Sequence, residues 1–209
     1  MNSSTRRFQL AGAAGVIEAL RDEPAAGVTP RGTALIAHPH PLFGGTMDNK
    51  VVQTLARAFV QSGWTALRFN FRGVGASQGQ HDEGRGELED LLAIAAAEAP
   101  EGPLAIAGFS FGAFVAAGAV HALWGPRKIE KIVLVGTAAS RFEVAPLPAE
   151  AHDVSLVVHG EADDTVPLSA VMDWARPQSL PVTVVPGGGH FFHGQLPLLK
   201  SLVARHLRS

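Results

Sequence analysis

Short apolar runs alternate along most of the chain with longer stretches whose apolar positions recur every three or four residues. The short runs are typical of strands buried on both faces, and the longer stretches are typical of helices that bury one face. We therefore predict six buried strands, over residues 33–37, 64–71, 104–107, 129–136, 154–159 and 182–185. The same pattern predicts helices over residues 50–61, 86–99, 113–120, 168–175 and 196–207.

The first part of the chain has a different pattern. Two strand-like runs within residues 6–21 flank Gly12 and Gly15, which predicts a β-hairpin. Strands that alternate with helices build a mostly parallel sheet with helices on both faces. We therefore predict an α/β fold with a mostly parallel, twisted sheet of about eight strands, in one domain that spans residues 1–209.

Residues with unusual chemistry cluster in the loops that follow the predicted strands. The carboxyl ends of parallel strands meet at one edge of the sheet, where the ligand sites of such folds lie. We therefore expect one site built from the loops at 38–45, 72–84, 108–112, 160–167 and 186–194.

The segment 104–120 combines a short apolar run, the turn Gly-Phe-Ser-Phe-Gly and a stretch of small, helix-tolerant residues. A strand, a G-x-S-x-G turn and a helix in this order are typical of a nucleophile elbow, whose strained turn exposes a serine. The two glycines let strand and helix approach without a Cβ clash, and the helix N-terminus favours developing negative charge. We therefore predict Ser110 as a nucleophile.

A second G-x-S-x-G is present at 75–79, around Ser77. No strand leads directly into it and no helical pattern follows at once, so it lies in a long glycine-rich loop. A chain with 23 glycines forms such a pentapeptide by chance often enough that the context must decide. We interpret Ser77 as a loop residue without a catalytic role.

A serine nucleophile needs a base, and the base needs an acid that orients it. Asp163 follows the strand at 154–159, and His190 follows the strand at 182–185. Taken singly, each has a plain structural interpretation, as part of a solvated turn or as a half-buried histidine beside two phenylalanines. Their chain order, Ser110, Asp163 and then His190, and their places at strand ends favour a catalytic triad.

These residues lie in motifs that resemble the α/β-hydrolase superfamily of serine hydrolases over essentially the whole chain. The matching segments are GFSFG at 108–112, HGEADDTVP at 159–167, GGGHFFHG at 187–194 and FNFRGVGASQG at 69–79. The segment HPHPLFGGTMDNKVV at 38–52 resembles a compact bacterial subgroup of these hydrolases that has no lid.

The resemblance implies an α/β-hydrolase fold with Ser110 as the nucleophile. The family pattern puts the acid at Asp163, not at Asp164, and the base at His190, not at His193. Few residues are available at the place where this family usually inserts its lid, so the resemblance also implies that there is no cap domain.

The oxyanion hole of this family needs two backbone N–H groups. The residue after the nucleophile, Phe111, is expected to supply the first. The family usually has His-Gly after the third strand, whereas this chain has Pro39 in place of the glycine and Pro41 two residues later. Because proline has no N–H, the second donor is either His40 or Leu42, and the sequence leaves both open.

We expect an open apolar mouth around the serine, with Phe43, Phe109 and Phe191 as substrate-binding residues. Such a mouth favours small or medium acyl (carboxylic) esters, cleaved through an acyl-enzyme. The alternatives are a thioesterase or peptidase with the same triad, or a non-catalytic binding or scaffold module with a vestigial triad. The double-proline loop favours that last alternative if it disrupts the oxyanion hole.

Three further residues in these loops have open roles. His38 and His40 share one face of an extended segment, as metal ligands do, but no nearby spacing completes a ligand set, so we predict no metal site. Arg72 lies in a rim loop and is interpreted as structural, and His193 is interpreted as a surface residue.

The composition of the chain excludes several classes of protein and of site. The 209 residues are 46% hydrophobic and 17% charged, as in globular proteins, and the net charge of −2 gives no basic surface for nucleic acid. The chain has no cysteine, which excludes disulfides and thiolate metal sites.

The start of the chain weakly resembles a signal peptide, because Arg6 and Arg7 are followed by an Ala/Gly run. Glu18 interrupts the apolar part, which is also too short to span a membrane. We therefore predict a cytoplasmic protein with a small-molecule ester substrate and no cofactor, nucleic-acid partner or membrane span. Monomer and dimer both stay open.

Overall fold

The computed structural model describes residues 5–208. Its strands are β1 Thr5–Gly12, β2 Gly15–Asp22, β3 Thr33–Ala37, β4 Thr65–Phe69, β5 Leu104–Phe109, β6 Ile129–Val135, β7 Ser155–Gly160 and β8 Val182–Val185. Its α-helices are α1 Lys50–Gln61, α2 Arg85–Glu98, α3 Phe111–Leu123, α4 Leu168–Ala175 and α5 Leu196–His206.

The strands form one eight-stranded sheet in the order β1-β2-β4-β3-β5-β6-β7-β8. β1 and β2 form an antiparallel hairpin, β2 also pairs antiparallel with β4, and all pairs from β4 to β8 are parallel. The predicted α/β-hydrolase fold is confirmed, and residues 5–208 contain no separate cap domain. Within the same residues, no helix combines the length and the hydropathy that crossing a membrane requires.

The predicted elements lie close to the observed ones. The largest difference is at α3, which spans Phe111–Leu123 instead of 113–120 because the turn at Ser110 leads directly into the helix. β4 ends at Phe69, before the predicted end at 71. The strand does not continue to Phe71, because the N–H of Phe71 donates to the ring of His38 instead of to a neighbouring strand.

Helices cover both faces of the sheet, as predicted. α1 and α5 pack on one face, and α2, α3 and α4 pack on the other. Successive side chains of the central strand β5 point to opposite faces of the sheet. Leu104 and Ile106 face α2, α3 and α4, whereas Ala105 and Ala107 face α1 and α5. β5 pairs with β3 on one side and with β6 on the other, so neighbouring strands hold its carboxyl end from both sides.

The loop that carries Ser77 is a structural connection between β4 and the hairpin. The Ser77 hydroxyl donates to the carbonyl of Asn70 at 2.7 Å and accepts the N–H of Glu18 at 2.9 Å. Gly75 has φ 58°, and a Cβ there would lie 2.5 Å from the side chains of both Asn70 and Glu18. These bonds agree with the interpretation of Ser77 as a loop residue.

Arg72 fastens the same loop to α2. Its Nε and Nη2 donate to the two carboxylate oxygens of Asp90 at 2.8 and 2.9 Å, and both side chains are buried. Gly86 leaves room for the guanidinium, because a Cβ there would lie 1.8 Å from Nη1 of Arg72. The guanidinium is therefore engaged with α2, in agreement with the structural interpretation of this residue.

We expect Arg72→Met to lower the free energy of unfolding by about 3 kcal/mol, because it leaves the buried carboxylate of Asp90 without its cation. Urea denaturation followed by circular dichroism measures the change. The control Arg176→Met breaks an exposed pair with Asp173 and should leave the midpoint almost unchanged. Equal effects of the two variants would contradict this role of Arg72.

Candidate active site

Ser110 lies in the sharp turn between β5 and α3, with φ 57° and ψ −117°. This backbone conformation is strained for a residue with a Cβ. The turn is possible because a Cβ at Gly108 would lie 2.2 Å from the carbonyl oxygen of Gly112, and a Cβ at Gly112 would lie 2.4 Å from that of Ala37. Only glycine fits at either position, so the two glycines of the motif hold strand, helix and neighbouring loop together.

The structure brings the three predicted triad residues together, although they come from separate loops. The Ser110 hydroxyl lies 3.0 Å from Nε2 of His190, and Nδ1 of His190 lies 2.7 Å from Oδ2 of Asp163. All three side chains are buried or nearly so. Because a carboxylate only accepts, Nδ1 of His190 carries the proton and Nε2 is free to accept the serine proton.

The Asp163 carboxylate is held on both oxygens. Burial raises its pKa, but the hydrogen bond from His190 and those from the N–H groups of Val166 and Thr165 outweigh burial and leave the pKa below its usual value. Buried His159 adds a further link, since its Nε2 lies 2.9 Å from the carbonyl oxygen of Val166. The acid loop therefore keeps Asp163 ionised and fixes its orientation toward the imidazole.

The ring of His190 packs against aromatic side chains that hold it over the serine. Phe109 lies below it with ring centroids 4.9 Å apart, and Phe191 meets it edge-on at 5.0 Å. Phe109 is 0% exposed, so its side chain supports the histidine and does not line the mouth, contrary to our expectation that it binds substrate. Gly136 lies beside both rings with φ 56°, and a Cβ there would lie 3.2 Å from the ring of Phe109, which supports His190.

The two candidates for the second oxyanion donor differ in how their N–H groups are used. The Leu42 N–H donates to Nδ1 of the His40 side chain at 3.2 Å, within the short 3-10 turn Pro41–Phe43. Among residues 5–208, neither the His40 N–H nor the Phe111 N–H has a hydrogen-bond acceptor. Of the three candidate donors, the two whose N–H groups lack an acceptor among the described residues are thus Phe111 and His40.

His38 anchors the start of the same loop. Its ring is fully buried, with Nδ1 2.6 Å from the carbonyl oxygen of Pro39 and Nε2 accepting the N–H of Phe71 at 3.0 Å. Burial lowers its pKa to about 4, so the ring is neutral at neutral pH. Both nitrogens are engaged with the backbone, which leaves neither for a metal ion.

The remaining predicted residues lie at the rim. The side chains of Phe43 and Phe191 are 75% and 43% exposed, as substrate-facing residues of an open mouth are. His193 is exposed and contacts only the ring of Phe191 among the described aromatic residues.

Sequence reasoning missed the contacts that surround the His40 ring. His81 lies 4.8 Å from it between ring centroids, and Nδ1 of His81 is 2.8 Å from Oε1 of the buried Glu87. Phe142, from the segment after β6, lies 6.0 Å from His40 and 5.2 Å from Phe111. These contacts join loops far apart in the chain, and no local spacing signals them.

Comparison with known proteins identifies the family of the chain. A family model described as serine aminopeptidase, S33 (Hydrolase_4) matches residues 30–156. The crystal structure of XC6422 from Xanthomonas campestris, an a/b serine hydrolase without lid, covers 100% of this chain and 95% of its own, with 35% identity and a TM-score of 0.87. The chain belongs to the α/β serine hydrolase family.

Two further relatives were found, of which the first supports the membership. An alpha-beta serine hydrolase homologue from Coxiella burnetii is 37% identical to this hydrolase, with 97% of each chain covered and a TM-score of 0.82. Uncharacterized protein RP471 of Rickettsia prowazekii (strain Madrid E) is 49% identical over 87 residues, which are 40% of this chain and 37% of that protein. The match thus spans under two fifths of the length of this last relative.

The buried His38 makes the stability of the hydrolase depend on pH. In the unfolded chain this histidine binds a proton near pH 6.5, but in the folded protein it does so only near pH 4. Between these values the unfolded chain binds more protons, so stability falls as pH falls and is fully regained above about pH 7. For His38 alone, we expect a loss of about 2 kcal/mol between pH 8 and pH 5.

The variant His38→Gln tests this, because its amide can accept the Phe71 N–H but does not titrate. Urea denaturation at pH 8 and pH 5 should show a smaller pH-dependent loss of stability in the variant than in the wild type. His206, whose pKa burial also lowers to about 4, contributes equally to both proteins and cancels in the comparison. Identical pH dependence in the two proteins would contradict the assignment.

Proposed function

We propose that this hydrolase cleaves small or medium acyl (carboxylic) esters through a catalytic triad of Ser110, Asp163 and His190. The observation that carries the proposal is the unbroken hydrogen-bond chain from the serine hydroxyl through the imidazole to the carboxylate. A serine, a histidine and an aspartate in this geometry are the parts that nucleophilic acyl transfer needs.

In the proposed mechanism the Ser110 oxygen attacks the ester carbonyl while Nε2 of His190 takes the hydroxyl proton. The tetrahedral intermediate collapses as His190 returns this proton to the leaving alcohol, and the ester C–O bond breaks. Water then attacks the acyl-enzyme with His190 again as base, and the serine is released with the acid as product. Asp163 stays ionised throughout and stabilises the imidazolium that forms at each step.

The negative charge on the intermediate needs two N–H donors, for which we propose Phe111 and His40. Phe111 follows the nucleophile at the N-terminus of α3, where N–H groups lack helical acceptors. The N–H of His40 has no acceptor among residues 5–208, whereas that of Leu42 already donates to the His40 ring. The choice between His40 and Leu42 that the sequence leaves open is therefore resolved, in this proposal, in favour of His40.

Ester specificity is supported by the open, apolar rim of the mouth. The exposed side chains of Leu42, Phe43 and Phe191 offer apolar contact to an acyl chain without enclosing it. Without a cap domain over residues 5–208, the size of the substrate is limited by these side chains and not by a closed cavity.

Peptide hydrolysis is the second candidate, because the family model that matches residues 30–156 is described as a serine aminopeptidase. Paired chromogenic substrates discriminate between the two, for example p-nitrophenyl butyrate and leucine p-nitroanilide. We expect rapid turnover of the ester and little of the anilide. Preference for the anilide would favour the peptidase, and preference for a matched butyryl thioester would favour a thioesterase.

The nucleophile is tested by fluorophosphonate labelling with the modified residue located by mass spectrometry. We expect stoichiometric label on Ser110, and loss of both the label and at least about 10³-fold of the ester activity in Ser110→Ala. The matched control Ser77→Ala changes the serine of the other G-x-S-x-G and should keep the label on Ser110. A folded wild-type protein that takes no label would favour a binding or scaffold module.

A further inference from the structure

The side chain of His40 has no role in the mechanism proposed above, yet it lies at the centre of the loop that offers the second oxyanion donor. Its Nδ1 accepts the Leu42 N–H at 3.2 Å and so caps the 3-10 turn Pro41–Phe43. Its ring packs between the rings of Phe43 and Phe111, at 4.8 and 4.9 Å between centroids. The ring therefore links the turn to the residue that follows the nucleophile.

The main chain of His40 is restrained from several directions. Its carbonyl oxygen accepts the N–H groups of Phe43 and Gly45, at 3.1 and 3.0 Å. Pro39 and Pro41 flank it and restrict the backbone on either side. Among residues 5–208, the bond from Leu42 to Nδ1 is the hydrogen bond between the ring and the turn, so its loss weakens the link between the turn and Phe111.

We propose that the neutral imidazole of His40 is a positioning residue, which holds its own N–H in the oxyanion hole by capping the turn at Leu42, and that protonation of the ring releases this loop. The inference rests on the proposed function, because it assigns the side chain of a residue whose N–H that function uses. It adds a second protonation event to the same site, separate from that of His190.

The chemistry of the ring explains why only the neutral form works. Nδ1 can accept the Leu42 N–H only through its lone pair, so the proton of the neutral ring is on Nε2. A second proton on Nδ1 turns the acceptor into a donor, which then faces the Leu42 N–H. Two donors repel, and the turn loses its cap.

Charged groups from three neighbouring segments face this ring. His81 on the loop after β4 and Arg141 on the segment after β6 both disfavour a further positive charge, whereas Glu87 at the start of α2 favours it. Burial is the largest influence, and together with His81 and Arg141 it leaves the pKa of His40 below its usual value. The capping form of the ring therefore prevails at neutral pH and is lost on the acidic side.

The first test is the pH profile of kcat/KM for an ester such as p-nitrophenyl butyrate. Protonation of His190 alone gives an acid limb with a slope of one in a logarithmic plot. Protonation of His40 as well steepens the limb toward two at lower pH. We expect the steeper limb in the wild type and a slope of one throughout in His40→Asn, whose amide oxygen caps the turn but does not titrate.

The matched variant His40→Phe keeps an aromatic ring but removes the acceptor. We expect it to lower kcat and the rate of fluorophosphonate labelling by about 10- to 100-fold with little change in KM, because a misplaced oxyanion donor affects the transition state. His40→Asn should lose clearly less of both rates than His40→Phe, because its amide oxygen still accepts the Leu42 N–H. Both variants keep the backbone N–H at residue 40, so the contrast reports the cap.

A spectroscopic measurement on the wild type requires no variant. In the ¹⁵N spectrum of the histidine rings at pH 8, Nδ1 of His40 should carry no proton and Nε2 should carry one. A proton on Nδ1 at this pH would overturn the proposal even if both variants failed to fold.

The outcomes separate this inference from the proposed function. Absence of label on Ser110 of the wild type removes the proposed function, and the inference with it. A labelled, active wild type with His40→Phe equal to His40→Asn in kcat and labelling rate overturns the inference alone. An acid limb of the same slope in the wild type and His40→Asn does so as well.

Discussion

The close approach of three backbone segments at the end of β5 is the constraint on which the site depends. Gly108 lies against the backbone of Gly112, and Gly112 lies against Ala37 at the end of β3. This approach forces Ser110 into a strained conformation, which costs about 1–3 kcal/mol. The pairing of β5 with β3 and β6 and the buried start of α3 sustain that strain. The same approach brings the loop after β3 beside the serine, so the candidate nucleophile and oxyanion donors come from one packed junction.

The other half of the site follows from the order of the parallel strands. β6, β7 and β8 run beside β5 in chain order, so their carboxyl ends deliver Gly136, the acid loop and the histidine loop to the same edge. Gly136 lies against the ring of Phe109, and Phe109 supports the lower face of the imidazole. The acid is fixed by the backbone N–H groups of its own turn. Burial makes each of these contacts stronger than it would be in water, because little solvent competes for the polar atoms.

The fold was predictable to a large extent, because its signals are local. The sequence pattern predicts the first and last residues of α1, α4 and β8 correctly. The strand-turn-helix context distinguishes Ser110 from Ser77. The surroundings of the candidate site were less predictable, because they depend on side-chain direction and on contacts between distant loops. Periodicity does not show that Phe109 points under His190, or that the Leu42 N–H donates a hydrogen bond to the His40 ring. The packing of His81 against His40 joins two loops about 40 residues apart, which no motif records.

Two histidines separated by one proline fix different parts of the loop after β3. His38 points into the protein, and its neutral ring ties the loop to the backbone after β4. His40 points along the surface, half-buried, and its ring caps the turn that follows. The first bond fixes where the loop begins, and the second fixes how it turns. A lid-bearing enzyme can order its oxyanion donors when the lid closes over the substrate. Residues 5–208 contain no cap domain, so the proposed mechanism requires that the donors be ordered before the substrate arrives. The bonds of the His38 and His40 rings, on either side of Pro39, support that order.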